Sequence, residues 1–125
     1  MNTKNEQLGN EAKAIQATGS CHCGAVEYTV SGPILGQSYC NCQACQKATG
    51  ALQVSFVSMH KDSVEIDKGD PVTVQGRTGV KCDEYGVWQR CPECGTKVFW
   101  VSNAEDQIDV LAGTLDDPSI FSPGS

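Results

Sequence analysis

Eight cysteines stand in a chain of 125 residues. Seven of them fall into three short runs: Cys21-His22-Cys23, Cys40-Asn41-Cys42-Gln43-Ala44-Cys45 and Cys91-Pro92-Glu93-Cys94. Sulfurs this close in sequence can reach one tetrahedral ion at about 2.3 Å from either side of a tight turn, and a glycine after the second cysteine relieves the backbone there. Gly24 and Gly95 hold that place. Cys91 and Cys94 supply two ligands and need two more, which Cys21 and Cys23 can provide from across a sheet to close a four-sulfur structural site. The middle run puts Cys40, Cys42 and Cys45 on one loop and one helical turn. Three local ligands leave a fourth position free, as in a catalytic zinc site that keeps a place for water or substrate. Divided as four and three, the cysteines predict two zinc ions per chain.

Other readings of the same cysteines stay open. Cys82 stands alone in the polar segment Gly79–Glu84, where it reads as a small buried residue; completion of the second site, making both sites structural, is the alternative. Cys91 and Cys94 also have redox-pair spacing, but such a pair should precede a helix in a βαβ setting, and Thr96–Val101 has a strand pattern. Disulfides would require an oxidising compartment. The segment Met1–Ala17 has no unbroken apolar stretch of the kind a secretory signal needs, and no run approaches the roughly 20 apolar residues of a membrane span. A soluble, cytoplasmic protein without membrane association is therefore expected. His22, between two ligands, and His60, in a polar turn, read as solvent-facing.

The elements that must position these sulfurs are strands. Ala25–Val30, Leu52–Phe56, Val72–Val74 and Lys97–Val101 alternate apolar and polar residues, with turn residues such as Ser31-Gly32-Pro33, Lys68-Gly69-Asp70 and Gly76 between them. Gln43–Ala48 has the look of a helical turn, and Glu6–Gln16 reads either as a short helix or as a frayed segment. The chain suffices for one modest core. These features predict a small antiparallel all-β fold with one short helical turn, arranged as a polar leader over 1–17 and a single domain over 18–125. The net charge of −6, with basic residues scattered along the chain, argues against nucleic acid as a partner.

Four separated segments carry a resemblance over roughly Thr18–Pro118: Gly19-Ser20-Cys21-His22-Cys23-Gly24-Ala25-Val26, Tyr39-Cys40-Asn41-Cys42-Gln43-Ala44-Cys45-Gln46-Lys47, Arg90-Cys91-Pro92-Glu93-Cys94-Gly95 and Gly113-Thr114-Leu115-Asp116-Asp117-Pro118. In that order they resemble the glutathione-dependent formaldehyde-activating enzyme family. The resemblance implies a tent-like, Mss4-like all-β architecture. It implies a structural zinc on Cys21, Cys23, Cys91 and Cys94 and a catalytic zinc on Cys40, Cys42 and Cys45. It also implies a carbon–sulfur lyase that adds the thiol of glutathione to formaldehyde, giving S-(hydroxymethyl)glutathione, and reverses the step. A non-catalytic zinc-stabilised binding module, or a lyase for another thiol–aldehyde adduct, is the alternative. Lys47, Arg77, Lys81 and Arg90 could meet glutathione's carboxylates or be ordinary surface charges. This sequence departs from the family in three places: Asn41 stands where many members have histidine, Cys82 lies outside the ligand pattern, and the sequence stops at Phe121–Ser125, where relatives usually continue with another strand.

Overall fold

In the computed structural model the described residues are 13–76 and 81–123, without the side chains of Lys81 and Cys82. Strand β1 (Ala14–Ser20) runs antiparallel to β2 (Glu27–Cys40), which at 14 residues is the longest element. Helix α1 (Gln43–Thr49) follows, then β3 (Val54–Met59), β4 (Val64–Lys68), β5 (Val72–Val74), the single turn α2 (Lys81–Glu84), β6 (Gly86–Arg90), β7 (Lys97–Ser102) and β8 (Ile108–Leu111). All described strand pairings are antiparallel, and the order is β1-β2-β3-β8-β7-β6-β5, with β4 also on β2. The antiparallel all-β class expected from the alternation is thus the fold.

Strand β2 joins two parts of this sheet. Its first half lies between β1 and β4, its second half pairs with β3, and the register shifts between Ile34 and Gly36. Ser31-Gly32-Pro33, expected as a turn, lies inside β2. Gly32 there has φ +141°, and Ile34 N–H donates to the Lys13 carbonyl at 2.7 Å, so β1 holds the segment extended while the glycine lets it bend. The helical alternative for Glu6–Gln16 fails over its last residues. Ala14 to Gln16 pair with Pro33 to Ser31, and Ile15 and Ala17 turn towards the sheet while Gln16 and Thr18 stay exposed. That is a period of two, which was hidden because so few residues in the segment are strongly apolar. The remainder of that segment up to residue 12 lies outside the described residues.

Alternation divides the sheet's side chains between two cores. Val57 and Met59 of β3 join Val26, Tyr28, Val30, Phe99 and Val110 in the larger core, whereas Val54 and Phe56 point the other way, into a smaller cluster with Trp88 and Cys45. On β7 the register slips by one residue between Gln89 and Arg90, leaving Val98 unpaired as a bulge. Val98 and Phe99 consequently both reach the larger core, and Trp100 turns to the smaller one.

The Gly113–Pro118 segment ties β1 to the larger core. Tyr28 Oη and Thr114 Oγ1 are 2.6 Å apart, Thr18 Oγ1 donates to Asp116 at 2.6 Å, and Asp116 N–H donates to the Thr18 carbonyl at 2.9 Å. The Tyr28 ring, fully buried and edge-on to Phe99 at 4.9 Å, lies against Gly19, where a Cβ would collide with the ring and with the Thr114 carbonyl. Gly19→Val should therefore lower stability by about 1–3 kcal/mol, the usual cost of forcing extra volume into a packed site. Gly36→Ala, with open space around it, should not; denaturant midpoints of the two variants check the contrast.

Candidate metal centres and the adjoining cavity

Two turns of matching design bring four sulfurs together. In the first, Cys21 N–H donates to the Val26 carbonyl and Gly24 N–H to the Cys21 carbonyl; in the second, Cys91 N–H donates to the Thr96 carbonyl and Gly95 N–H to the Cys91 carbonyl. Both glycines adopt left-handed backbone, φ +83° at Gly24 and +80° at Gly95, which a side chain would disfavour. The turns also aim amides at sulfur: Val26 N–H at Cys21 Sγ (3.3 Å), and Glu93 and Cys94 N–H at Cys91 Sγ (3.3 and 3.4 Å). Such donors favour thiolate over thiol.

The spacing fits an ion. Four sulfurs about 2.3 Å from a tetrahedral centre lie about 3.8 Å from one another, and Cys21 to Cys23 and Cys23 to Cys91 are each 3.7 Å apart. With Cys94 these atoms form one group that could hold a metal. Cys21 and Cys91 are buried in the larger core, while Cys23 and Cys94 face outward. The electrostatics also call for a cation. The Thr96 hydroxyl, 3.1 Å from Cys94 Sγ, and the Thr96 amide draw the Cys94 thiol down to about 5. At Cys23 the Ala25 amide pulls the same way, but lost hydration and the neighbouring cysteines outweigh it, leaving that thiol at about 11. Four adjacent thiols do not all ionise unless a positive charge compensates them.

The second group sits where β2 passes into α1. Cys40 ends the strand, Cys42 caps the helix by accepting from Cys45 N–H at 3.4 Å, and Cys45 lies in the first helical turn. Gly50, in left-handed backbone at φ +79°, ends the helix. The three sulfurs form a second group that could hold a metal. Cys45 donates to Cys40 at 3.2 Å, closer than the tetrahedral edge, so a bound ion would spread this pair by about half an ångström. Burial, followed by the adjacent Cys40 and Cys42, pushes the Cys45 thiol up. The seven cysteines of these two groups are free thiols, none in a disulfide.

A cavity of about 310 Å³ opens beside Cys40 and Cys45, and its floor follows from the strand register. Residues paired across antiparallel strands share a face. Ser38 pairs with Phe56 and Phe56 with Leu111; Asp109, two residues from Leu111, pairs with Trp100, Trp100 with Trp88 and Trp88 with Val74. One sheet face therefore presents Phe56, Trp88, Trp100 and Asp109 to the three-cysteine group. A second cavity of about 230 Å³ shares Ala44, Asp83 and Trp88 with the first and carries Lys47 and Lys97 on its wall.

The sequence picked out the cysteines but missed this surround. Trp88, Trp100, Phe56 and Asp109 follow one another only through pairings between distant strands. The available signal was an aromatic residue at an alternating position, as in Val87-Trp88 and Phe99-Trp100. Of the proposed carboxylate partners, Lys47 lines the second cavity and Arg90 donates to the Cys91 carbonyl at 3.0 Å. Arg77 and the side chains of Lys81 and Cys82 lie outside the described residues. Asn41 and His22 are exposed, and His60 pairs with Asp106 at 3.0 Å, away from both cysteine groups.

The family described as glutathione-dependent formaldehyde-activating enzyme matches residues 16–125. No curated protein matches the chain. Among solved structures, that of a Rhodobacter sphaeroides protein is similar, with a TM-score of 0.63 and 21% identity over 84% of this chain and 94% of that one; at this identity the likeness concerns the fold. No helix among the described residues is long and apolar enough to cross a membrane.

Removing the Thr96 hydroxyl tests how the first group is held. With Cys94 no longer drawn down to about 5, protons should compete better for its sulfur. Thr96→Val should therefore release bound metal at a higher pH than the unaltered protein, by up to about one unit; acid titration followed by a chromogenic chelator reads the midpoint.

Proposed function

Because the chain belongs to the glutathione-dependent formaldehyde-activating enzyme family, we propose that it is a zinc-dependent carbon–sulfur lyase that adds the thiol of glutathione to formaldehyde and reverses that addition. The observation that carries this reading is the inequality of the two cysteine groups. One offers four sulfurs; the other offers three, and two of its cysteines, Cys40 and Cys45, line a cavity. Cys21, Cys23, Cys91 and Cys94 would hold a structural zinc, and Cys40, Cys42 and Cys45 a second one whose fourth position opens to substrate. All-thiolate donor sets of this shape suit zinc better than magnesium or calcium, which prefer oxygen.

The reaction needs no oxidant. The sulfur of the thiol forms a bond to the aldehyde carbon, the carbon–oxygen π pair moves to oxygen, and the thiol proton ends on that oxygen. Zinc, when bound, supplies Lewis acidity towards the oxygen and lowers the pKa of a thiol held at its open position. The protein's own residues do the rest. Cys40, Cys42 and Cys45 would hold that ion with three sulfurs. Phe56, Trp88 and Trp100 replace water around the reacting atoms. Lys47 and Lys97 set positive charge in the adjoining cavity, where glutathione's carboxylates would lie. A reducing cytoplasm suits this reading, since all seven cysteines must stay reduced to bind metal.

Exchange NMR on mixtures of glutathione and formaldehyde tests the proposal. The protein should accelerate formation and breakdown of the adduct, and Cys42→Ala should lose the acceleration by about 100-fold or more while remaining folded. A folded protein with two zinc ions and no acceleration would instead identify a binding module. Cys82→Ser should keep both zinc ions by elemental analysis; loss of one would mean that the second site is closed by a fourth sulfur and cannot admit substrate.

A further inference from the structure

The two adjoining cavities carry opposite charge. Apart from the sulfurs, the charged residues lining the cavity beside Cys40 and Cys45 are Asp83 and Asp109, and none of the described residues lining it is basic. The neighbouring cavity has Lys47 and Lys97 on its wall. Ala44, Asp83 and Trp88 line both and form the seam between them.

Asp109 is placed to face the first cavity. Its neighbours in β8, Ile108 and Val110, are buried in the larger core, so alternation turns Asp109 to the opposite face, in register with Trp100. Gln107 Nε2 donates to Asp109 Oδ1 at 2.9 Å and orients the part-buried carboxylate. Asp109 makes no ion pair with a described residue. This is an unfavourable place for a negative charge. Three thiolates on one divalent ion still leave a net charge of −1, so a bound metal does not supply the missing counter-charge. An amide or apolar side chain at the same alternating position would avoid the cost. A carboxylate oriented there against repulsion fits a ligand that brings a positive charge.

The adjoining lysines narrow the choice of ligand. An amino-acid head group carries an ammonium and a carboxylate on one carbon, and it is matched by a surface with an acidic residue on one side of a seam and basic residues on the other. We propose that Asp109 receives the ammonium group of a thiol that bears an amino-acid head group, while the carboxylate of that head group lies towards Lys47 and Lys97. This rests on the function proposed above and narrows its substrate class to zwitterionic thiols, of which glutathione with its free amine is one. Asp109 is a specificity-determining residue, since it holds a part of the substrate remote from the sulfur.

Binding and turnover of the zinc-loaded full chain supply the test. The unreactive S-methylglutathione and its N-acetyl derivative differ in the ammonium alone and keep both carboxylates. Titrations followed by NMR should show the N-acetyl derivative binding about tenfold more weakly, the loss expected for one charged hydrogen bond at a part-exposed site. Asp109→Asn keeps an oxygen for Gln107 and removes only the charge. In that variant the two ligands should bind within about twofold of each other. Glutathione and N-acetylglutathione should likewise differ about tenfold in KM for the exchange with formaldehyde, with kcat nearly equal. Equal binding of the two ligands by the unaltered protein overturns the proposal, and that comparison needs no variant to fold. A Asp109→Asn variant that weakens both ligands equally also overturns it, by making Asp109 a structural residue. Exchange accelerated equally for both thiols removes the role of Asp109 alone. If neither thiol's exchange is accelerated, the lyase reading falls and takes this assignment with it.

Discussion

Everything in this fold depends on bringing four sulfurs from two distant turns to one point. Cys21 and Cys23 lie between β1 and β2, Cys91 and Cys94 between β6 and β7, so their meeting joins the two ends of the sheet. The sulfurs already stand 3.7 Å apart with amides aimed at them. Their charge is what opposes the arrangement. A bound cation reverses that sign and turns mutual repulsion into a cross-link, which for a chain of this size adds stability that one small core supplies poorly.

From that anchor the sheet divides its labour by face. The larger core takes Cys21 and Cys91 together with Tyr28, Phe99 and their aliphatic neighbours. The opposite face carries Phe56, Trp88 and Trp100 beneath the three-cysteine group. The two roles meet on β3 and β7, where successive residues serve opposite faces and the Val98 bulge resets the alternation just before Trp100. Past the bulge, Trp100 is held on the cavity face by its pairings with Trp88 and Asp109.

Much of this was legible in the residues. Cysteine spacing gave both sulfur groups, since a tight turn with a glycine is a local device whose geometry is written in a few consecutive positions. Alternation gave the strand character of the segments around Val72–Val74 and Lys97–Val101. What it could not give was pairing. Strand β1 was obscured because Ala14–Ser20 carries a single strongly apolar residue, Ile15, and depends on β2 for its conformation. The bend at Gly32 looked like a chain reversal, because glycine before proline permits either outcome and only the partner strand decides. The cavity wall was least legible. Asp109 meets Trp100 and Trp100 meets Trp88 through the order of β8, β7 and β6, and that order is a property of the whole sheet. The Gly113–Pro118 motif drew attention as a signature, yet Thr114 and Asp116 serve as a latch on β1 and Tyr28.

On the function proposed above, seven cysteines hold two zinc ions, one saturated by sulfur and one open. X-ray absorption at the zinc edge on the purified protein should then show a shell averaging about 3.5 sulfurs per zinc near 2.3 Å, with the balance made up by a lighter atom at about 2.0–2.1 Å. A uniform shell of four sulfurs, or one zinc per folded chain, would overturn the division into a closed and an open site.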